Sequence, residues 1–176
     1  IDTSVLFDED GKAYLYFVRF TNGNVIWCAE LKDNLKEIKE ETLTQCIEAT
    51  EPWETVFGKV AEGPSPLKLN GVYYLLYSAN DFRSQDYAVG YATSASPFGP
   101  WKKYAGNPLL HKVENLVGTG HGAPFVDGNG KYRYVFHAHK SQTEVNQRNT
   151  YIIDMAFSDK NGVSIGGNLI RPVVVE

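Results

Sequence analysis

Asp2, Glu62 and His121 each stand nine residues before a glycine that closes an Asp-Gly or Asn-Gly pair, at Gly11, Gly71 and Gly130. The intervals between the three are 60 and 59 residues. If they converge, two carboxyls and an imidazole share one small volume and must shift one another's pKa. A carboxyl kept protonated near neutral pH can serve as an acid. Paired carboxyls placed across a bond are the usual apparatus of glycoside hydrolysis. One such residue alone is more simply a cap at a strand start; three in register argue for chemistry.

What could position them is a repeat of about sixty residues. IDTSVLFDEDGKAYLYF from Ile1, AEGPSPLKLNGVYYLLY from Ala61 and GHGAPFVDGNGKYRYVF from Gly120 lie over one another. Each has a short apolar run, an Asp-Gly or Asn-Gly pair and an aromatic-rich run. Asp10-Gly11, Asn70-Gly71 and Asn129-Gly130 suit two-residue hairpin turns, where positive φ is needed. Alternation follows each turn, as in Tyr14 and Tyr16, or Tyr132, Tyr134 and Phe136. Third strands are expected over Val25 to Leu31, Tyr87 to Thr93 and Thr150 to Phe157. Weaker fourth strands are expected over Leu43 to Ala49, Trp101 to Tyr104 and Leu169 to Val175.

Four strands per repeat is the signature of a propeller blade. The expectation is therefore an all-β fold of four-stranded antiparallel blades in one domain over 1–176, with repeats at about 1–60, 61–119 and 120–176. A β-sandwich is the competing architecture; the repeat period argues against it. In a propeller the innermost strands ring a central channel, so equivalent positions on them would meet at one of its mouths. Residues 31–41, seven of eleven charged, read as a solvated outer connection with one helical turn.

Composition narrows the classes further. The chain has 176 residues, 43% hydrophobic and 22% charged, which suits a folded domain and excludes disorder. Aromatics at 13%, with 16 Gly and 8 Pro, favour strands and turns. Net charge is −4 with no basic cluster, so neither nucleic acid nor a membrane is expected as a partner. Cys28 and Cys46 make no disulfide framework and leave the redox compartment open. Met155 is the only methionine and Ile1 opens directly into a strand-like run, so the chain reads as a piece of something longer.

EGPSPLKLNGVYYLLYSAN resembles the acid-bearing strand of glycoside hydrolase family 43, the five-bladed propeller arabinanases, arabinofuranosidases and xylosidases. IDTSVLFDEDGKAYLYF resembles that family's other aspartate motif, and GTGHGAPFVDGNGKYRYVFHAH its channel-histidine motif. The resemblance implies that Glu62 is the general acid. It implies that Asp2 is the auxiliary carboxylate that orients the acid and keeps its pKa raised. His121 would sit on the channel floor, where the family often holds a hydrated cation, calcium or sodium; no cofactor is required. Arg148 resembles an arginine that contacts sugar hydroxyls. The family's general base is an aspartate about two blades upstream of the Asp2 motif, and no segment here corresponds to it. About three of five blades are then present, and these 176 residues alone are expected to be inactive.

Other side chains carry weaker signals. Trp53, in Glu-Pro-Trp-Glu, either stacks on a sugar ring or packs in an interface. Phe82 and Arg83 fit the rim of a site or a plain loop. Trp101 reads as packing between blades. His137 and His139 alternate on one strand and share a face, but no third metal ligand follows from their spacing. Asp8-Glu9-Asp10-Gly11 is explained by a hairpin turn rather than a calcium loop.

The expected function is inverting hydrolysis of plant-wall pentosides such as arabinan, arabinoxylan or xylo-oligosaccharides, with an oligosaccharide or polysaccharide as partner. A fructan-type furanosidase and a carbohydrate-binding propeller without activity stay open as alternatives. A secreted or periplasmic location is the expectation, with the cytoplasm open; sugar, linkage and oligomeric state are not readable from the residues.

Overall fold

The aromatic alternation after each turn glycine becomes the second strand of a four-stranded antiparallel sheet, three times over. The computed structural model describes residues 1–158 and 162–173. The first sheet holds β1 (Ser4–Phe7), β2 (Ala13–Phe20), β3 (Asn24–Glu30) and β4 (Thr44–Ile47). The second holds β5 (Ala61–Leu69), β6 (Val72–Ala79), β7 (Ala88–Ser94) and β8 (Lys102–Lys103). The third holds β9 (Gly120–Val126), β10 (Tyr132–Ala138), β11 (Asn149–Ser158) and β12 (Gly162–Ile170). Strand order follows the chain in every sheet, so β1, β5 and β9 are each an edge strand. This is the up-and-down blade of a β-propeller. No helix among the described residues is long and apolar enough to cross a membrane.

Two apolar clusters join the sheets. Tyr14, Tyr16 and Ile26 of the first sheet pack with Tyr73, Leu75 and Tyr77 of the second. Leu76, Val89 and Tyr91 pack with Tyr134, Phe136 and Ile153 of the third. Trp101 lies between sheets as expected, edge-on to Tyr16 at 6.2 Å between ring centroids. Polar ties reinforce the first junction. Tyr16 donates to the Pro97 carbonyl at 2.6 Å. Glu54, fully buried, accepts from Tyr77 at 2.6 Å, from Lys103 at 2.5 Å and from the amides of Thr50 and Glu51.

The hairpins correct one expectation. Only Asn70-Gly71 forms a two-residue turn, with φ of 50° and 77° and Leu69 paired to Val72. The other two turns are five residues long, from Asp8 to Lys12 and from Asp127 to Lys131. There an aspartate side chain captures backbone N–H groups: Asp10 takes that of Lys12, and Asp127 those of Asn129 and Lys131. Such Asx turns lengthen the loop and leave only the glycine in left-handed conformation.

The fourth strand of the third repeat also differs. It begins at Gly162, not Leu169, and ends at Ile170. Leu169 pairs with Ile153 but Ile165 with Met155, so extra residues bulge opposite Asp154, with Gly167 at φ +101°. Gly166 and Gly167 thus lie in a bulge inside one strand. Residues 174 and 175 of the expected strand lie outside the described residues. The charged segment 31–41 is an outer connection, closed by a Leu31–Ile38 bridge and a 3₁₀ turn at Glu40–Thr42. Both cysteines are free thiols.

Candidate active site

Each inner edge strand breaks register near its start. Ile1 pairs with Val18 while Ser4 pairs with Tyr16. Glu62 pairs with Ser78 while Ser65 pairs with Leu76. Gly120 pairs with His137 while Ala123 pairs with Val135. The residue after each of these first partners is left-handed: Asp2 at φ 54°, Gly63 at 56° and His121 at 50°. A left-handed residue at a bulge turns the strand and re-aims its side chains, a device common beside active sites. The equal nine-residue offsets are therefore not strictly equivalent. Asp2 and His121 occupy the left-handed position and Glu62 the one before it, because the second hairpin has the shorter turn.

The bulges bring the three residues together. One carboxylate oxygen each of Asp2 and Glu62 and a ring nitrogen of His121 lie within 4.8 Å of one another. Glu62 is half-buried, and both its oxygens are held. Asn24 donates to Oε2 at 2.9 Å and Tyr87 to Oε1 at 2.8 Å. Asn24 is placed by its own amide, which bonds the Lys59 carbonyl at 3.0 Å. The Tyr87 hydroxyl also lies 3.3 Å from His121 Nδ1. The His121 amide donates to the buried Ser78 hydroxyl at 2.8 Å. Asp2 Oδ2 accepts from the Gly63 amide at 3.4 Å, beside Glu62.

Burial raises the Glu62 carboxyl above the usual range. The Tyr87 hydrogen bond pulls against burial, the Asp2 charge adds to it, and Asn24 and His121 pull down less. Burial and the Glu62 carboxylate push the Tyr87 phenol well above 10, so it remains a donor. The arrangement is a protonatable carboxyl, oriented from two sides, with a second carboxyl as neighbour. That is the equipment of a general acid.

The cleft over this cluster measures about 340 Å³. Asp81, Phe82 and Arg148 line its wall with Asp2, Glu62 and His121. The Arg148 guanidinium carbon sits 4.8 Å from the Phe82 ring centroid. Trp53 does not line the cleft. It lies in a 3₁₀ turn, Pro52–Glu54, packs on Tyr77 at 5.9 Å and covers Gly90, where a Cβ would meet its ring at 2.8 Å. Asn24, Tyr87 and Ser78 went unnoticed in the sequence. They reach the site from other strands, and no local pattern marks them.

By type, two carboxyls and an imidazole suit a divalent cation. Both Glu62 oxygens, however, are engaged by Asn24 and Tyr87, and a cation there would oppose the raised pKa. A hydrated cation fits only from the His121 side, where Nε2 has no hydrogen-bond partner among the described residues. His137 and His139 form no metal pair. His137 Nε2 lies 3.2 Å from Arg148 NH1, and His139 Nε2 lies 2.8 Å from the Phe82 carbonyl oxygen. Burial, with Arg148 and the other two histidines, lowers the His137 pKa to about 3, so its ring is neutral.

The fold and the site define a propeller whose channel mouth holds a raised carboxyl. Residues 1–162 match the family described as Glycosyl hydrolases family 43, and the chain belongs to that family. An endo-1,4-beta-xylanase from Bacteroides thetaiotaomicron superposes with a TM-score of 0.97 at 57% identity, covering 100% of this chain and 61% of that one. A thermostable family-43 glycoside hydrolase superposes at 0.88 with 32% identity, covering 99% and 60%. A beta-D-galactofuranosidase of Aspergillus niger is 29% identical over 160 residues, 90% of this chain and 43% of its own length. A beta-xylosidase of Xylanibacter ruminicola is 29% identical over 163 residues, 78% of this chain and 48% of its own. The chain thus spans about half the length of these curated relatives and about 60% of the two solved chains. It is an all-β chain of that family whose three sheets are blades of a partial propeller.

Proposed function

We propose that this chain carries the acid half of an inverting glycosidase acting on plant-wall pentosides, arabinan, arabinoxylan or xylo-oligosaccharides. The observation that carries the reading is the raised carboxyl of Glu62, fixed by Tyr87 and Asn24 and crowded by Asp2. Glu62 gives its proton to the glycosidic oxygen as the bond to the anomeric carbon breaks. A water attacks that carbon from the opposite face and loses its proton to a carboxylate base. In this reading the base comes from residues outside these 176, in keeping with relatives longer than this chain.

Asp2 keeps a second negative charge from forming cheaply beside it, which favours the protonated acid. Arg148 and Phe82 supply a donor and an apolar face for the sugar. A xylanase and a xylosidase among the similar proteins support a pentose.

The test is one assay with aryl β-xyloside, α-arabinofuranoside and β-galactofuranoside. It compares the full-length protein with residues 1–176 at matched concentration. Turnover of a pentoside by the full-length protein and none by 1–176 is the expected result. Robust, Glu62-dependent turnover by 1–176 alone would place the base within it and overturn the division of labour. Preference for the galactofuranoside would overturn the substrate class.

A further inference from the structure

His137 lies on β10 and His139 just past its end, and both reach toward the Phe82 and Arg148 wall. Their partners fix opposite tautomers. A guanidinium only donates, so His137 Nε2, 3.2 Å from Arg148 NH1, is the acceptor and its proton sits on Nδ1. A carbonyl only accepts, so His139 Nε2 carries the proton it gives to the Phe82 oxygen at 2.8 Å. His139 is itself buried, and its amide bonds the Val117 carbonyl at 2.9 Å. The other face of His137 is also used: its ring stacks on Tyr87, 5.6 Å between centroids and 12° between planes.

Arg148 is exposed and carries no carboxylate partner among the described residues. Two contacts decide where its guanidinium points, the His137 nitrogen and the Phe82 ring. The Phe82 loop is in turn held by His139. We propose that His137 is a positioning residue, which holds the Arg148 guanidinium against Phe82 in the cleft while its ring braces Tyr87, the donor to Glu62. One imidazole would then couple the sugar-facing wall to the acid. This rests on the reading of the cleft as a sugar site, and its test is chosen so that either can fail alone.

Glutamine places its amide oxygen near the position of a histidine Nε2, and asparagine near that of Nδ1. In the full-length enzyme, His137→Gln should therefore still accept from Arg148, and His137→Asn should not. The expected result on the better aryl pentoside is a KM within about threefold of wild type for H137Q. H137N should raise KM about tenfold, with a smaller change in kcat. Combined with Arg148→Ala, H137N should add nothing to the KM loss, because that loss runs through the same guanidinium. Equal KM for the two amides, or KM losses that multiply with R148A, would overturn the proposal. If neither amide variant folds, H137F keeps the ring on Tyr87 and enters the same cycle in place of H137N. A crystal structure of H137N, or of H137F in its place, reads the proposal without turnover. The guanidinium should leave the Phe82 face; an unmoved Arg148 would refute the proposal even in a protein with no pentosidase activity.

Discussion

The hydroxyl of Tyr87 donates to Glu62 Oε1 at 2.8 Å and thereby opposes the burial that raises that carboxyl. Asp2, on the other side, adds to the effect of burial. Two substitutions should therefore move the acid's pKa in opposite directions. Tyr87→Phe removes a hydrogen bond that favours the carboxylate, so the alkaline limb of kcat/KM should move to higher pH. Asp2→Asn removes a like charge, so the limb should move to lower pH. Profiles of both variants in the full-length enzyme check this; shifts of the same sign would separate Glu62 from the limb.

Glu62→Gln keeps the shape of the acid and removes its proton. Turnover of natural pentosides, whose leaving groups are poor, should fall by ~10²–10⁴-fold. Activated aryl glycosides should lose much less, because their leaving group needs little protonation. The ratio of the two losses is the measurement, and a ratio near one would assign the acid to another residue.

Glu54 is a buried carboxylate that ties the segment between β4 and β5 to β6 and β8, and it lies outside the cleft. Glu54→Ala would leave the Lys103 ammonium, whose side chain is 17% exposed, without its carboxylate, holding only the Glu48 carbonyl and the Thr50 hydroxyl, and would free two backbone amides. Breaking a buried pair in this way costs about 3–5 kcal/mol. Urea unfolding of wild type and variant should show that loss; a cost under about 1 kcal/mol would mean that water replaces the partners.

Asp8 ties the first hairpin to the second sheet through Lys68 at 2.6 Å and a short bond from Tyr73. Burial pushes its carboxyl up, and the hydrogen bonds from Lys68 and Tyr73 outweigh it, so the carboxyl ends below its ordinary value. A depressed carboxylate stabilises the folded chain above the unfolded value of about 3.9 and loses that contribution as pH falls through the folded one. The Tm gap between wild type and Asp8→Asn should thus be full at about pH 6 and narrow as pH falls below about 4. A gap that stays constant with pH would show that the contact is not ionic.

The three sheets were legible because each repeat spells its own hairpin: turn glycine, then alternating aromatics. The meeting of Asp2, Glu62 and His121 was legible for the same reason, since a repeated strand start repeats its position around an axis. What the residues hid was anything dependent on register. Turn length shifted Glu62 by one position relative to its counterparts, and a bulge at Gly166 and Gly167 hid the start of β12. Trp53 carried a sugar-stacking signal by type alone, and the space over Gly90 took its ring instead. Asn24 and Tyr87 belong to no motif: Asn24, at the start of β3, reaches Glu62 from the neighbouring sheet, and Tyr87, just before β7, reaches it across its own sheet.

The left-handed bulges also limit what variation can write on the cleft floor. Backbone at φ near +50° accepts glycine freely and, among other residues, is richest in Asn, Asp and His; branched and bulky side chains are outliers there. The second sheet uses glycine at this point, and the first and third use an aspartate and a histidine. At Gly63 an added Cβ would stand 3.3 Å from the His121 ring, which would have to shift by a few tenths of an ångström. A library built at positions 2 and 121 should therefore recover a short alphabet of small polar and imidazole side chains, even under selection for folding alone. Local backbone geometry has preselected residue types that can titrate, before any demand of the reaction is imposed.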